Sequence, residues 1–190
     1  MRLFVALEVP AEVRERFATL VAELRRIDAA PKWVRAENLH VTLKFIGHVR
    51  AEALPAIEMA LGGVWAASAI EVNFRGLGFF PHEKRPSVFW AGIEAGEALT
   101  RLAAEVDSAC AAAGIPREEK RFKPHLTLAR FKDAKLSANL RAAAEAHATD
   151  SFGELLAEEF HLMESKLKAP AAEYTRLQSY RFVARRTERA

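Results

Sequence analysis

The pattern His-x-Thr-x occurs twice in the chain, as His40-Val41-Thr42-Leu43 and, 85 residues later, as His125-Leu126-Thr127-Leu128. Each copy lies in a run that reads as a strand, the first over 40–47 and closed by Gly47, the second over 121–131 and shaped at its start by Pro124. The surrounding elements repeat as well. A strand over 2–10, ended by Pro10, precedes a helix over 11–28 on which Val13, Phe17, Leu20, Val21, Leu24 and Ile27 recur at helical spacing. The first motif is followed by a helix over 51–62, where Pro55 is tolerable only near the first turn. Strands over 69–81 and 87–95 flank a polar turn. Then come a helix over 97–113, the second motif, a helix over 136–147 and two closing strands over 152–168 and 173–184. A chain that runs one order of elements twice, mixing strand pairs with amphipathic helices, is held to an α+β fold. Two small antiparallel sheets with helices on their outer faces are expected. The length of 190 residues suits a single bilobed domain over 1–184, with a charged tail over 185–190.

Composition narrows the partners. The chain is 51% apolar and 28% charged, as in ordinary globular proteins, and its net charge is +3. That balance admits an anionic ligand and argues against wrapping duplex DNA. Cys110 is the one cysteine, so no internal disulfide forms, and its place on the apolar stripe of the 97–113 helix marks it as a packing residue. The opening apolar run is broken by Glu8 and Pro10, so no signal peptide is expected there, and no window has the length of a membrane span. A cytoplasmic monomer is the expectation.

Side chains alternate faces along a strand. His40 and Thr42 therefore share one face, His125 and Thr127 likewise, while Val41, Leu43, Leu126 and Leu128 point the other way to hold each strand to its lobe. Two such strands facing each other across a cleft bring together two imidazoles and two hydroxyls. Histidine titrates near neutrality, so one ring accepts a proton while the other donates one. The threonines donate hydrogen bonds to an oxyanion. This set suits phosphoryl transfer. A zinc or iron site needs a third ligand at fixed spacing, and neither motif supplies one, so no metal or cofactor is expected. Lys44 is in phase with His40 and Thr42 and is a candidate phosphate contact. Strict alternation sets Arg130 on the face opposite His125, so its use requires a bulge, the strand's end or a long reach. Phe45, Phe79, Phe80, Trp33, Trp90 and Phe122 are candidates for base stacking, Phe45 foremost, and the basic segments 83–86 and 120–123 for backbone contacts. His48, His82, His147 and His161 lack a partner motif and read as structural or solvated.

At these residues the sequence resembles the two-histidine phosphoesterases, defined by paired HxTx motifs, and among them the RNA 2′,3′-cyclic phosphodiesterases formerly called 2′-5′ RNA ligases. The stretch "RLFVALEVP" is similar to the family's opening strand, "LHVTLKFIG" to its first motif and "FKPHLTLAR" to its second. The resemblance implies a bilobed fold with pseudo-two-fold symmetry and a central cleft. It also implies hydrolysis of a ribose 2′,3′-cyclic phosphate to a 2′-phosphomonoester, on RNA ends or cyclic nucleotides, without metal. By match to the motifs, His40 is the proton donor and His125 the proton acceptor. Thr42 and Thr127 bind the phosphate, and "HLTLAR" resembles relatives in which an arginine at the position of Arg130 reaches it. The same groups run the reverse reaction, joining 2′-phosphate and 5′-hydroxyl ends. A non-catalytic module that binds RNA ends is the reading from another class, and two proton-transfer groups argue against it.

Overall fold

The computed structural model describes residues 1–66, 68–133, 135–167 and 172–182. Its strands are β1 (Arg2–Glu8), β2 (Lys32–Trp33), β3 (His40–His48), β4 (Ile70–Phe80), β5 (Val88–Glu94), β6 (His125–Arg130), β7 (Ser151–Ala157), β8 (Glu159–Leu167) and β9 (Ala172–Arg181). Its helices are α1 (Ala11–Ile27), α2 (Leu54–Gly62), α3 (Gly96–Ala112) and α4 (Ala138–Ala146). The long strands run in the order β7-β4-β5-β6-β3-β1-β8-β9, with β2 beside β6. Every pairing is antiparallel, as hairpins and short returns allow.

The expected two sheets are two four-stranded arms that touch. β7-β4-β5-β6 form one and β3-β1-β8-β9 the other, and the seam between β3 and β6 is a single residue pair, Val41 opposite Leu126. Both side chains are fully buried. The two motif strands are thus the innermost strand of each arm. The helices cross over: α1 follows β1 yet packs on β7 and α4, while α3 follows β5 yet packs on α2 and β3. Each arm is covered by helices from both halves of the chain, so neither half makes a core alone.

Local sequence explains these elements. On α1, Val13, Phe17, Leu20 and Leu24 are buried at steps of four, three and four. Phe17 meets Phe74 and Phe152 at ring-centre distances of 5.7 and 5.2 Å, a burial worth roughly 1.5–3 kcal/mol per fully buried side chain. Ile27, at the end of the expected stripe, is 45% exposed. Ser137 caps α4, its hydroxyl accepting from the Leu140 amide at 3.2 Å. Cys110 is fully buried on α3.

Several boundaries differ from the sequence reading, among them the strand expected over 121–131, which begins only at His125. The run expected as one strand over 152–168 is two, β7 and β8, broken at Glu158, whose carbonyl accepts from the Phe182 amide at 2.8 Å. The chain crosses there from one arm to the other, so the second half closes with three strands. The helix expected from 51 begins as a 3-10 turn over 51–53, and α2 starts at Leu54 with Pro55 in its first turn, where the missing amide costs nothing. Residues 32–33, expected as a lead-in turn, pair with β6. The tail expected over 185–190 lies outside the described residues.

Candidate active site

The two motif strands carry the same burial sequence. From the histidine onward, both read half-buried, buried, half-buried, buried, buried, exposed. The two consecutive buried residues mark a β-bulge. In β3 the pairing with β1 passes from Thr42 opposite Ala6 to Lys44 opposite Val5, leaving Leu43 as the extra residue. In β6 the pairing with β5 passes from Thr127 opposite Trp90 to Ala129 opposite Phe89, leaving Leu128 extra. One extra residue reverses the phase of everything after it.

That reversal corrects one expectation and supplies the condition for another. Lys44 turns away from His40 and Thr42 into the protein and is 4% exposed. Its ammonium donates to Asp107 on α3 at 2.5 Å and to the Pro116 carbonyl at 2.7 Å. A lysine committed to that pair is not a phosphate contact. Arg130 is brought to the face of His125 and Thr127 and is exposed there. Its equivalent in β3 is Phe45, 47% exposed on the face of His40, with the Arg2 guanidinium 5.0 Å over its ring.

Both imidazoles are fixed in the same way. His40 Nδ1 lies 2.7 Å from the Asn38 carbonyl, and His125 Nδ1 lies 2.8 Å from the Lys123 carbonyl. A carbonyl only accepts, so each Nδ1 carries the proton and each Nε2 is left free to exchange one. The surroundings differ. The His40 ring packs against Phe4, 4.7 Å away, and Tyr174, edge-on at 5.2 Å, the three rings touching one another. The His125 ring meets Phe80 edge-on at 5.0 Å, and Phe80 leans on Trp90. Burial pulls both imidazoles below their ordinary pKa; the carbonyl contacts oppose this, and the positive charge of Arg130 adds to it. The charge of His125 lowers His40 further. Arg130 thus acts on both histidines, and His125 acts on His40, as groups around one small site do.

Thr42 and Thr127 are half-buried on the faces of their histidines. Of the stacking candidates, Phe79 lies stacked on the buried Phe89, and Trp33 meets Phe89 edge-on while donating its indole N–H to the Asp28 carbonyl at 3.0 Å. Both serve the core. Phe122 is partly buried against that core. Trp90, the cross-strand neighbour of Thr127, lies flat over Gly78, where any Cβ would stand 2.4 Å from its ring. The charged residues of the basic segments are exposed, and Glu83 pairs with Arg141.

The sequence reading missed the far wall of the site. His161, read as structural or solvated, is 2% exposed, and its Nδ1 pairs with the Ser179 hydroxyl at 2.9 Å. It lines a cavity of about 240 Å³ shared with His40, Phe4, Tyr174, Arg176 and Glu8. The signal that finds it is the antiparallel pairing of β8 with β9, which sets Arg176 opposite Met163 and Ser179 opposite His161. Among the described residues, no group of three His, Cys, Asp or Glu side chains is placed to hold a metal, and no helix is long and apolar enough to cross a membrane.

Comparison with known proteins identifies the family and the fold. The family model described as the 2′-5′ RNA ligase superfamily matches residues 9–169. A protein of Archaeoglobus fulgidus named RNA 2′,3′-cyclic phosphodiesterase is 36% identical over 88% of this chain and 92% of its own length. One of the same name from Thermus thermophilus is 37% identical over 95% of this chain and 89% of its own. Among solved structures, Escherichia coli LigT complexed with 3′-AMP superposes with a TM-score of 0.79 at 27% identity, covering 95% of this chain and 97% of that one. With the matched family model over most of its length, relatives above one-third identity and the shared fold, the chain belongs to the 2′-5′ RNA ligase superfamily.

Proposed function

We propose that the protein is an RNA 2′,3′-cyclic phosphodiesterase that opens the cyclic phosphate to a 2′-phosphomonoester by two-histidine acid–base catalysis without a metal. The observation that carries this reading is the matched pair of bulged motif strands, which gives each arm one imidazole with a free Nε2 and sets Arg130 where its charge reaches both. The names of the relatives supply the substrate class.

Water must attack phosphorus in line with the departing 3′ oxygen, so the attacking and leaving atoms lie on opposite sides. Base and acid then come from opposite walls, one histidine on each arm. His125 takes the proton of the water, and His40 protonates the 3′ oxygen as the P–O3′ bond breaks. The surroundings fit these roles. His125 is the more accessible to solvent, while His40 is packed among rings beside a cavity able to hold the nucleoside. Each proton transfer is worth roughly 10²–10⁴-fold. Thr42, Thr127 and Arg130 donate to the non-bridging oxygens, on which charge grows.

The lowered pKa of His40 in the free enzyme has a consequence. An acid must be protonated, and the arriving phosphate monoanion supplies the opposite charge that restores its proton. His125 stays neutral and ready as base. The two imidazoles and the guanidinium cover proton transfer and charge neutralisation between them, so the chemistry has no step that calls for a metal. Incubation with a 2′,3′-cyclic nucleotide in excess EDTA tests the proposal: the 2′-phosphomonoester forms at an undiminished rate. Loss of turnover on chelation, or a 3′-phosphomonoester product, refutes it.

A further inference from the structure

We infer that the cavity beside His40 is the pocket for the base of the nucleotide that carries the cyclic phosphate, and that Glu8 and Arg176 select guanine there. The inference rests on the reading above, in which His40 faces the 3′ oxygen. The 3′ oxygen belongs to the ribose, so the ribose sits on the His40 wall, and its base leaves in that direction. The cavity opens there. Its volume of about 240 Å³ is just below the range of roughly 300–1,000 Å³ taken by drug-sized ligands, which suits one ring system rather than a dinucleotide.

The lining decides the chemistry. Phe4 and Tyr174, 5.0 Å apart and edge to face, give the cavity an aromatic side. The charged groups around it are Arg14 and Arg176 against Glu8 and Glu37, two of each sign. A second phosphate would meet both carboxylates, whereas a neutral base with donors and acceptors on its edges meets partners of both kinds. Glu8 and Arg176 already form an ion pair at the mouth, presenting an acceptor fork beside a donor fork. Guanine matches both. Its N1–H and N2–H₂ are adjacent donors for one carboxylate, and its O6 and N7 are the acceptors that a guanidinium takes bidentately. Adenine and the pyrimidines lack one fork or the other. His161 forms the floor, its Nδ1 held by Ser179; burial and the nearby Arg176 charge lower its pKa against the opposing charges of Glu159 and Glu8.

Four substrates test the inference: guanosine, adenosine and cytidine 2′,3′-cyclic phosphates, and methyl ribofuranoside 2,3-cyclic phosphate, which has no base. For the parent protein, kcat/KM is expected highest for guanosine, by about tenfold or more over the others, as loss of a hydrogen bond to a charged group implies. In Glu8→Gln the ratio of guanosine to base-free kcat/KM falls toward one, carried by KM. In Arg176→Lys, which keeps the charge and loses the fork, the ratio falls partway. Equal kcat/KM for guanosine and the base-free substrate, or a ratio unmoved by Glu8→Gln, overturns the inference while leaving the cyclic phosphodiesterase reading intact. Absence of turnover on all four overturns both.

Discussion

Replacing Lys44 with methionine separates two accounts of a residue that lies two positions beyond Thr42. The side chain is 3% exposed, and that of its partner Asp107 is 17% exposed. Methionine fills the stem of the lysine but leaves the Asp107 carboxylate and the Pro116 carbonyl without the ammonium. Removing one partner of a buried pair typically costs 3–5 kcal/mol. Here Asp107 keeps the Glu118 amide at 3.0 Å and an exposed Arg117 at 3.5 Å, which offset part of that loss. A destabilisation of about 2–4 kcal/mol follows, or a melting temperature lower by roughly 4–16 °C in a protein of this size. Urea titration measures it, and Asp107→Asn combined with Lys44→Met closes the cycle: the double variant is less destabilised than the two single effects summed. At a temperature where the variant is folded, its KM is unchanged. A variant that melts within about 1 kcal/mol of the parent and binds substrate much more weakly refutes the reasoning and restores Lys44 as a phosphate ligand.

Three further outcomes follow from the same structure. Arg130→Ala lowers kcat/KM by about 10²–10³-fold and, because Arg130 lowers both imidazoles, moves the whole pH profile upward; a variant with a weakened but unshifted profile contradicts this. Gly78→Ala drives a methyl into the Trp90 ring, which leans on Phe80 and through it on His125, so both the melting temperature and turnover fall; equal stability and activity would show that the ring moves freely. His40, His125 and His161 all titrate below the ordinary value of about 6.5 that they have when unfolded. The unfolded chain therefore binds more protons in the window below pH 6.5, and stability present at neutral pH is lost as pH falls; urea midpoints at pH 7.5 and 5.5 that are equal, or rise, count against it.

The sequence made the architecture legible, and with it the placing of His40 and His125 on the two innermost strands, because a repeated four-residue pattern on strands fixes which side chains share a face. It failed where the strand stops being regular. Alternation set Lys44 on the face of His40 and Arg130 opposite His125, and one bulged leucine in each strand, Leu43 and Leu128, reversed both. Nothing in Leu-Lys or Leu-Ala announces a bulge; the repetition itself was the available clue, since equivalent positions in two copies bend alike. The break at Glu158 was hidden because both flanking runs are strand-like, and only the crossing between arms shows that they belong to different neighbours. The cavity beside His40 was out of reach for another reason. Phe4, Glu8, His161, Tyr174 and Arg176 come from three strands spread over most of the chain, and their convergence depends on the β1–β8–β9 pairing.

The roles of the two histidines are tested most directly by a cyclic nucleotide whose 3′ bridging oxygen is replaced by sulfur. A thiolate leaves without a proton, so the need for the general acid disappears while the need for the base remains. His40→Ala, slow on the oxygen substrate, is predicted to recover most of the parental rate on the sulfur substrate, and His125→Ala to remain slow on both. Recovery by His125→Ala instead, or by neither variant, contradicts the assignment of His40 as acid and His125 as base.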